Sequence, residues 1–154
     1  MSRYERYGTR SLLYSKWHRF YLGDREPMID LDGIEYCAER SCSRPLVLIE
    51  TARDVGQASK PTTVLRRLAE LADVLALCVL YLPAEGVDLQ SGCACEPGRV
   101  DDQCPHGIVR FRVRRVWPEP EKKWRVMSPA EFRARLLQVR LNHVADEHRA
   151  WEAA

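Results

Sequence analysis

The sequence predicts an α/β fold, a mixed β-sheet with flanking helices, and three observations lead to it. Two short β-rich segments, MIDLDGIEYC and PLVLIETA, are separated by a polar stretch, which is typical of an antiparallel hairpin. A helical stripe then leads into VLALCVLYL, whose continuous apolar character favours a parallel strand covered on both faces. Finally, IVRFRVRRVW alternates apolar and basic residues, as a half-buried strand does.

The first elements follow in chain order. The spacing of apolar residues in SLLYSKWHRFYL predicts a helix that ends before Gly23. The hairpin is predicted from about Met28 to about Ala52. A second helix should begin near Pro61, because proline suits the first helical turn. Its predicted apolar stripe consists of Val64, Leu65, Leu68 and Leu71.

The last element is a long C-terminal helix. Ser128 and Glu131 form a capping box, with proline at the first helical position between them. A broad apolar face follows, made of Phe132, Leu136, Leu137, Leu141 and Val144.

The whole chain of 154 residues is expected to form a single domain. Within it we distinguish a core of about residues 11–82, a cysteine-rich loop of about 83–107, and a basic strand with the C-terminal helix at about 108–150. No repeat or linker marks a second domain.

Composition narrows the functional classes only a little. The net charge of +2 arises from 24 basic and 22 acidic residues, so nucleic-acid binding does not follow from the total charge. The N-terminus carries Arg3, Glu5 and Arg6 where a secretory signal needs apolar residues, and the longest apolar run is too short to span a bilayer. We therefore expect a cytoplasmic protein.

Acidic residues of the hairpin are the first candidate site. If the hairpin is symmetric about Ser41, then Asp32 lies opposite Glu50 and Asp30 opposite Ala52, with Cβ atoms roughly 4.5–5.5 Å apart. Like charges at this distance are destabilising unless a cation offsets them, and Mg²⁺ or Mn²⁺ prefers such carboxylates. The candidate ligands of that cation are Asp30, Asp32 and Glu50.

A simpler interpretation of the same residues stays open. In that interpretation Asp30 and Asp32 mark a solvated strand face, and Glu50 pairs with Arg53 or another nearby cation.

The order of a helix, a strand with Asp32, a strand with Glu50, a helix and a further strand resembles the core of the PD-(D/E)XK nucleases, over about residues 11–82. The resemblance implies a restriction-endonuclease-like core (αβββαβ type), Mg²⁺ bound by Asp32 and Glu50, and hydrolysis of phosphodiester bonds in DNA. The lysine that follows the glutamate by two positions in that family is Ala52 here, so the motif is incomplete. Some members carry the cation on the following helix, which implies a catalytic role for Lys60 or Arg53. The alternative for Lys60 is an exposed residue at a helix start.

The IDLDGIEYC and LIETARD segments also resemble small accessory proteins of actinobacterial phages. This resemblance implies a protein of DNA metabolism or host defence in the host cytoplasm. It leaves a second function open: a non-catalytic phage accessory protein with a zinc-stabilised nuclease-like fold that binds a host or phage protein.

The cysteine-rich loop is a candidate zinc site. Cys93, Cys95, Cys104 and His106 supply the thiolates and imidazole that a closed tetrahedral Zn²⁺ site uses. Cys37 and Cys42 at the hairpin end are further candidates for this site or for another. The alternative is a loop with free thiols, and Cys78 is predicted to be an apolar core residue.

The basic strand is a candidate nucleic-acid surface. Arg110, Arg112 and Arg114 project from one face, and guanidinium groups at this spacing can contact successive phosphates. The alternative is a solvated face balanced by Glu119 and Glu121. Two tryptophans that flank PEPEKK, Trp117 and Trp124, are interpreted as loop anchors.

Overall fold

A computed structural model describes residues 31–38, 42–85 and 107–152, with side chains described up to residue 144. The predicted first helix, Asp30, and the loop residues Cys93, Cys95, Cys104 and His106 lie outside the described residues. Leu31–Pro83 and Ile108–Ala154 form one compact unit, which is the one described below. A second unit groups Met1–Asp30 with Ala84–Gly107 and falls almost wholly outside the described residues.

The described unit is built on a five-stranded mixed sheet, in which spatial order follows chain order. Its strands are β1 (Gly33–Tyr36), β2 (Pro45–Arg53), β3 (Leu75–Pro83), β4 (Ile108–Trp117) and β5 (Arg125–Met127). The pair β2 and β3 is parallel, and the other three neighbouring pairs are antiparallel. The predicted α/β class, the hairpin and the buried parallel strand are therefore confirmed.

Two helices complete this part of the chain: α1 (Thr63–Ala72) and α2 (Pro129–Glu152). Helix α1 is the crossover that the parallel pair requires, and it ends at Asp73, which has a left-handed φ of 53°. Helix α2 begins with the predicted capping box, in which Ser128 N donates to Glu131 Oε2 at 2.7 Å and Glu131 N donates to Ser128 Oγ at 3.2 Å.

The sheet separates two apolar clusters, because successive strand residues point to opposite faces. On one face Val47, Val79 and Val113 pack with Phe132 of α2. On the other face Leu48 and Cys78 pack with Leu65 of α1. Strands β2 and β3 are thus covered on both sides, which explains their continuous apolar sequences.

The predicted apolar faces of the helices are too broad. In α1, Leu65 and Ala69 are buried, whereas Val64, Leu68 and Leu71 are 55%, 44% and 72% exposed. The stripe is wrong for those three residues, because the short helix meets the sheet along only one line of side chains. In α2, Phe132 is buried while Leu137, Leu141 and Val144 are exposed.

In the described part of the chain, no helix is both long and apolar enough to cross a membrane.

Candidate functional site

A largely buried ion pair joins Lys60 to Glu50 on the sheet. Lys60 precedes α1, and its Nζ lies 2.6 Å from Glu50 Oε1 near the end of β2. Both side chains are largely buried, with 22% and 18% of their surfaces exposed. The second carboxylate oxygen, Glu50 Oε2, is fully buried and accepts no hydrogen bond from any described residue. Among the described residues, this buried carboxylate is therefore neutralised by one cation, and one of its oxygens has no hydrogen-bond partner.

Asp32 joins this pair through Thr51. Asp32 Oδ2 accepts hydrogen bonds from Thr51 N at 2.7 Å and from Thr51 Oγ1 at 3.1 Å. The carbonyl oxygen of Thr51 in turn accepts from Lys60 Nζ at 2.5 Å. Asp32, the residue just before β1, thus accepts a hydrogen bond from a backbone N–H of β2. Its side chain remains exposed to solvent.

The strand register bears on the predicted position of Asp32 opposite Glu50. Gly33 pairs with Ile49 and Ile34 with Leu48, which is the register of a hairpin symmetric about Ser41. Continuing that register by one residue puts Asp32 across from Glu50. The predicted register is therefore observed from Gly33 onward, and Asp32 opposite Glu50 is its extrapolation.

The cross-strand neighbours of Glu50 include a second cationic side chain, that of Arg114. Glu50 pairs with Cys78 of β3, and Cys78 pairs with Arg114 of β4. Burial raises the pKa of the Cys78 thiol above its ordinary value, and Glu50 raises it further, while Lys60 and Arg114 lower it. Arg114 Nη2 also donates to the carbonyl of Lys60 at 3.4 Å. The carboxylate, the ammonium and this guanidinium thus lie around one buried thiol.

A second buried carboxylate, Asp54, lies at the end of β2. Arg112 Nη2 donates to Asp54 Oδ1 at 2.6 Å and Arg112 Nε donates to Asp54 Oδ2 at 2.9 Å, so the contact is bidentate. This hydrogen bonding from Arg112 holds the pKa of Asp54 below its ordinary value, against the opposing effect of burial. Gly56 N also donates to Asp54 Oδ1, at 3.0 Å.

Asp54 was not predicted from the sequence. The local signal is an Asp-Val-Gly turn, in which Asp54 accepts from the amide two residues on and Gly56 adopts a φ of 81°. Nothing in the local pattern indicates that its main partner, Arg112, comes from a strand 58 residues away.

The three arginines of the basic strand lie in different surroundings. Arg112 is 17% exposed and is held by Asp54, whereas Arg110 is 46% exposed and lies 3.3 Å from the same carboxylate. Arg112 and Arg114 also stack on Trp124, with their guanidinium carbons 5.4 and 4.8 Å from the ring centroid. Trp124 Nε1 donates to the carbonyl of Ala58 at 2.8 Å, so this tryptophan anchors the segment that leads to Lys60.

A separate cluster of metal-ligating side chains lies at the other end of the hairpin. The ligand atoms of Cys37, Cys42 and His143 all lie within 4.8 Å of one another, and the group can hold a metal ion. It is the one such cluster of three or more residues in the part of the chain that the structure describes. Cys37 and Cys42 were candidates from the sequence, whereas His143 was not.

Comparisons with protein-family models, with curated proteins and with solved structures found no match.

Proposed function

We propose that the chain is a metal-dependent nuclease-like protein with a restriction-endonuclease-like core that hydrolyses phosphodiester bonds in DNA. The observation that carries the proposal is the contact of 2.6 Å between Lys60 Nζ and Glu50 Oε1, together with Asp32, which precedes β1 and is hydrogen-bonded to Thr51, the residue after Glu50. Ala52 of β2 occupies the position of the lysine in the nuclease motif and carries no charge. In the proposal, Lys60 supplies that positive charge from the segment before α1.

The donor set fits a hard divalent cation. Mg²⁺ is commonly held by one or two carboxylates and keeps several waters. Glu50 offers a buried oxygen that no described residue bonds, and Asp32 offers a solvent-exposed carboxylate just before the neighbouring strand β1. An ordinary ion pair explains the contact of Glu50 Oε1 with Lys60, but it does not explain the unsatisfied Oε2. A cation bound between Glu50 and Asp32 would satisfy it.

In the proposed hydrolysis, the residues around Glu50 have different roles. A bound Mg²⁺ or Mn²⁺ would supply an activated water and polarise the phosphate. Glu50 and Asp32 would hold the cation, and the ammonium of Lys60 would stabilise negative charge that develops on the phosphate oxygens. Both Arg110 and Arg112 contact Asp54, but Arg110 is 46% exposed and its contact is the longer one, 3.3 Å against 2.6 Å, so Arg110 is the more accessible of the two to a neighbouring phosphate.

The engagement of Arg112 also favours the second candidate function. A basic strand whose central arginine is held by a buried carboxylate serves folding more than phosphate binding. In the second candidate, the nuclease-like fold is a non-catalytic scaffold, and the protein is a phage accessory protein that binds a host or phage protein.

Cleavage assays separate the two candidates. Supercoiled plasmid, linear duplex and single-stranded DNA would be incubated with the protein and Mg²⁺ or Mn²⁺. The matched samples are the Asp32→Ala, Glu50→Ala double variant and a Glu70→Gln variant, which removes an exposed carboxylate of α1. The proposal expects cleavage by the wild type and by Glu70→Gln, and none by the double variant. Equal activity in all samples, or none in any, rejects the nuclease.

A further inference from the structure

The thiols of Cys37 and Cys42 and the imidazole of His143 converge from two elements that are distant in the chain. Cys37 follows β1, Cys42 precedes β2, and His143 lies in α2, 101 residues after Cys42. Cys42 Sγ and His143 Nε2 are 3.2 Å apart. In a tetrahedral zinc site, with Zn–S near 2.3 Å and Zn–N near 2.0 Å, a sulfur and a nitrogen ligand are about 3.5 Å apart. The observed contact is close to that separation.

The spacing of the two cysteines also fits zinc. Four residues separate Cys37 from Cys42, within the range of two to four that is typical of zinc-binding pairs. The hairpin backbone supports the pair, because Cys37 N donates to the carbonyl of Arg44 at 2.9 Å and thereby closes the loop that carries Cys42. Both cysteines are free thiols, so neither is consumed by a disulfide.

Burial favours an ion that is retained. Cys37 is 1% exposed, and Cys42 and His143 are half-buried, so the cluster lies at the margin of the apolar core that packs between the sheet and α2. Thiolate and imidazole ligands select zinc over the hard cations that the carboxylate site prefers. The two sites would therefore take different metals from one solution.

We propose that Cys37, Cys42 and His143 bind one zinc ion, with water in the fourth position, and that the ion fastens the end of the β1–β2 hairpin to α2. The ion crosslinks segments about a hundred residues apart, and its binding energy adds to the stability of the folded state. The site is independent of the carboxylate centre and of the proposed nuclease activity.

The site is tested by comparing the zinc content of the wild type with that of variants that lack one ligand. The full chain is produced in zinc-containing medium, separated from free metal by gel filtration, and its zinc measured by mass spectrometry. The comparison is between wild type, His143→Gln, Cys42→Ser, and the control Gln138→Ala on an exposed position of α2. We expect wild type and Gln138→Ala to hold one equivalent more than the other two variants. The test uses the difference in zinc content between proteins, because a second candidate zinc site would add the same amount of zinc to all four. That candidate consists of Cys93, Cys95, Cys104 and His106. Equal zinc in all four proteins overturns the proposal.

Thermal unfolding distinguishes the loss of a zinc site from a general folding defect of a variant. In excess chelator, wild type and His143→Gln should unfold at similar temperatures. After the chelator is removed and one equivalent of zinc is added per predicted site, the midpoint of the wild type should rise by about 5 °C more than that of His143→Gln. Cobalt substitution should give thiolate charge-transfer bands that His143→Gln weakens. Identical zinc-induced shifts and identical cobalt spectra for the two proteins contradict the site.

Discussion

Lys60 and Glu50 form an ion pair of 2.6 Å in which the carboxylate keeps a second, buried oxygen without a partner among the described residues. Removing a carboxylate from water costs free energy that one hydrogen-bonded cation only partly offsets. The arrangement is therefore better suited to a carboxylate that binds a further ligand than to one that serves stability alone. A divalent cation held by Glu50 and Asp32 is the ligand that we propose, and Asp32 is hydrogen-bonded to Thr51, the residue after Glu50.

Replacing Lys60 by methionine should separate metal binding from catalysis. Lys60→Met removes a positive charge next to the carboxylates, so we expect Mn²⁺ affinity to rise by about threefold or more through reduced repulsion. DNA cleavage should nevertheless fall by about 10²-fold, because the ammonium stabilises charge that appears in the transition state. Titration with Mn²⁺ and single-turnover cleavage measure the two effects.

The control for this prediction is Lys122→Met, which removes an exposed lysine between β4 and β5. It should change neither quantity. A Lys60→Met variant that cleaves DNA as fast as the wild type would show that Lys60 serves only as a structural ion pair.

The buried Asp54 should make stability depend on pH. Asp54→Asn leaves Arg112 largely buried without its carboxylate, so we expect a loss of about 3 kcal/mol in the free energy of unfolding at pH 7. Arg112 holds the pKa of Asp54 below its ordinary value, so the stabilisation is complete above the unfolded-state pKa of about 3.9. It is lost as the pH falls from there through the lower folded-state pKa.

Urea unfolding at several pH values measures this difference. The gap between wild type and Asp54→Asn should be constant from about pH 7 to pH 5 and should shrink below about pH 4. An Asp54→Asn, Arg112→Met double variant should recover part of the loss, because no unpaired charge remains. A gap that stays constant down to pH 3 would show that Asp54 contributes no ionic stabilisation.

Phe132 should be the main contact that holds α2 to the sheet. Its ring centroid lies 4.8 Å from that of Phe111 on β4, and its side chain is buried. Phe132→Ala should lower the free energy of unfolding by about 3 kcal/mol through lost burial and a cavity. Leu141→Ala, at a position of α2 that is 61% exposed, should change it by less than about 0.5 kcal/mol. Equal effects of the two substitutions in urea unfolding would contradict this packing.

Local patterns predicted the elements that position the carboxylate site. Alternation identified β4, the continuous apolar run identified β3, and the capping box identified the start of α2. Each of these signals depends on neighbouring residues in the chain. The hairpin register could also be anticipated, because a symmetric loop between two short strands leaves few alternatives.

Long-range partners could not be predicted in the same way. Arg112 is 58 residues from Asp54, and His143 is 101 residues from Cys42, so no spacing in the sequence connects either pair. The apolar faces predicted for the two helices were too broad for a related reason. A helix pattern shows which residues are apolar, but only the docked structure decides how many of them the sheet covers.

Manganese binding tests the central claim, that Asp32 and Glu50 hold a divalent cation, most directly. Free Mn²⁺ would be measured by electron paramagnetic resonance during titration of wild type, Glu50→Gln and the exposed control Glu70→Gln. The account predicts one Mn²⁺ site in wild type and Glu70→Gln, and at least roughly 30-fold weaker binding in Glu50→Gln, since a buried charged ligand is lost. Superimposable isotherms for all three proteins, or no bound Mn²⁺ in the wild type, would contradict it.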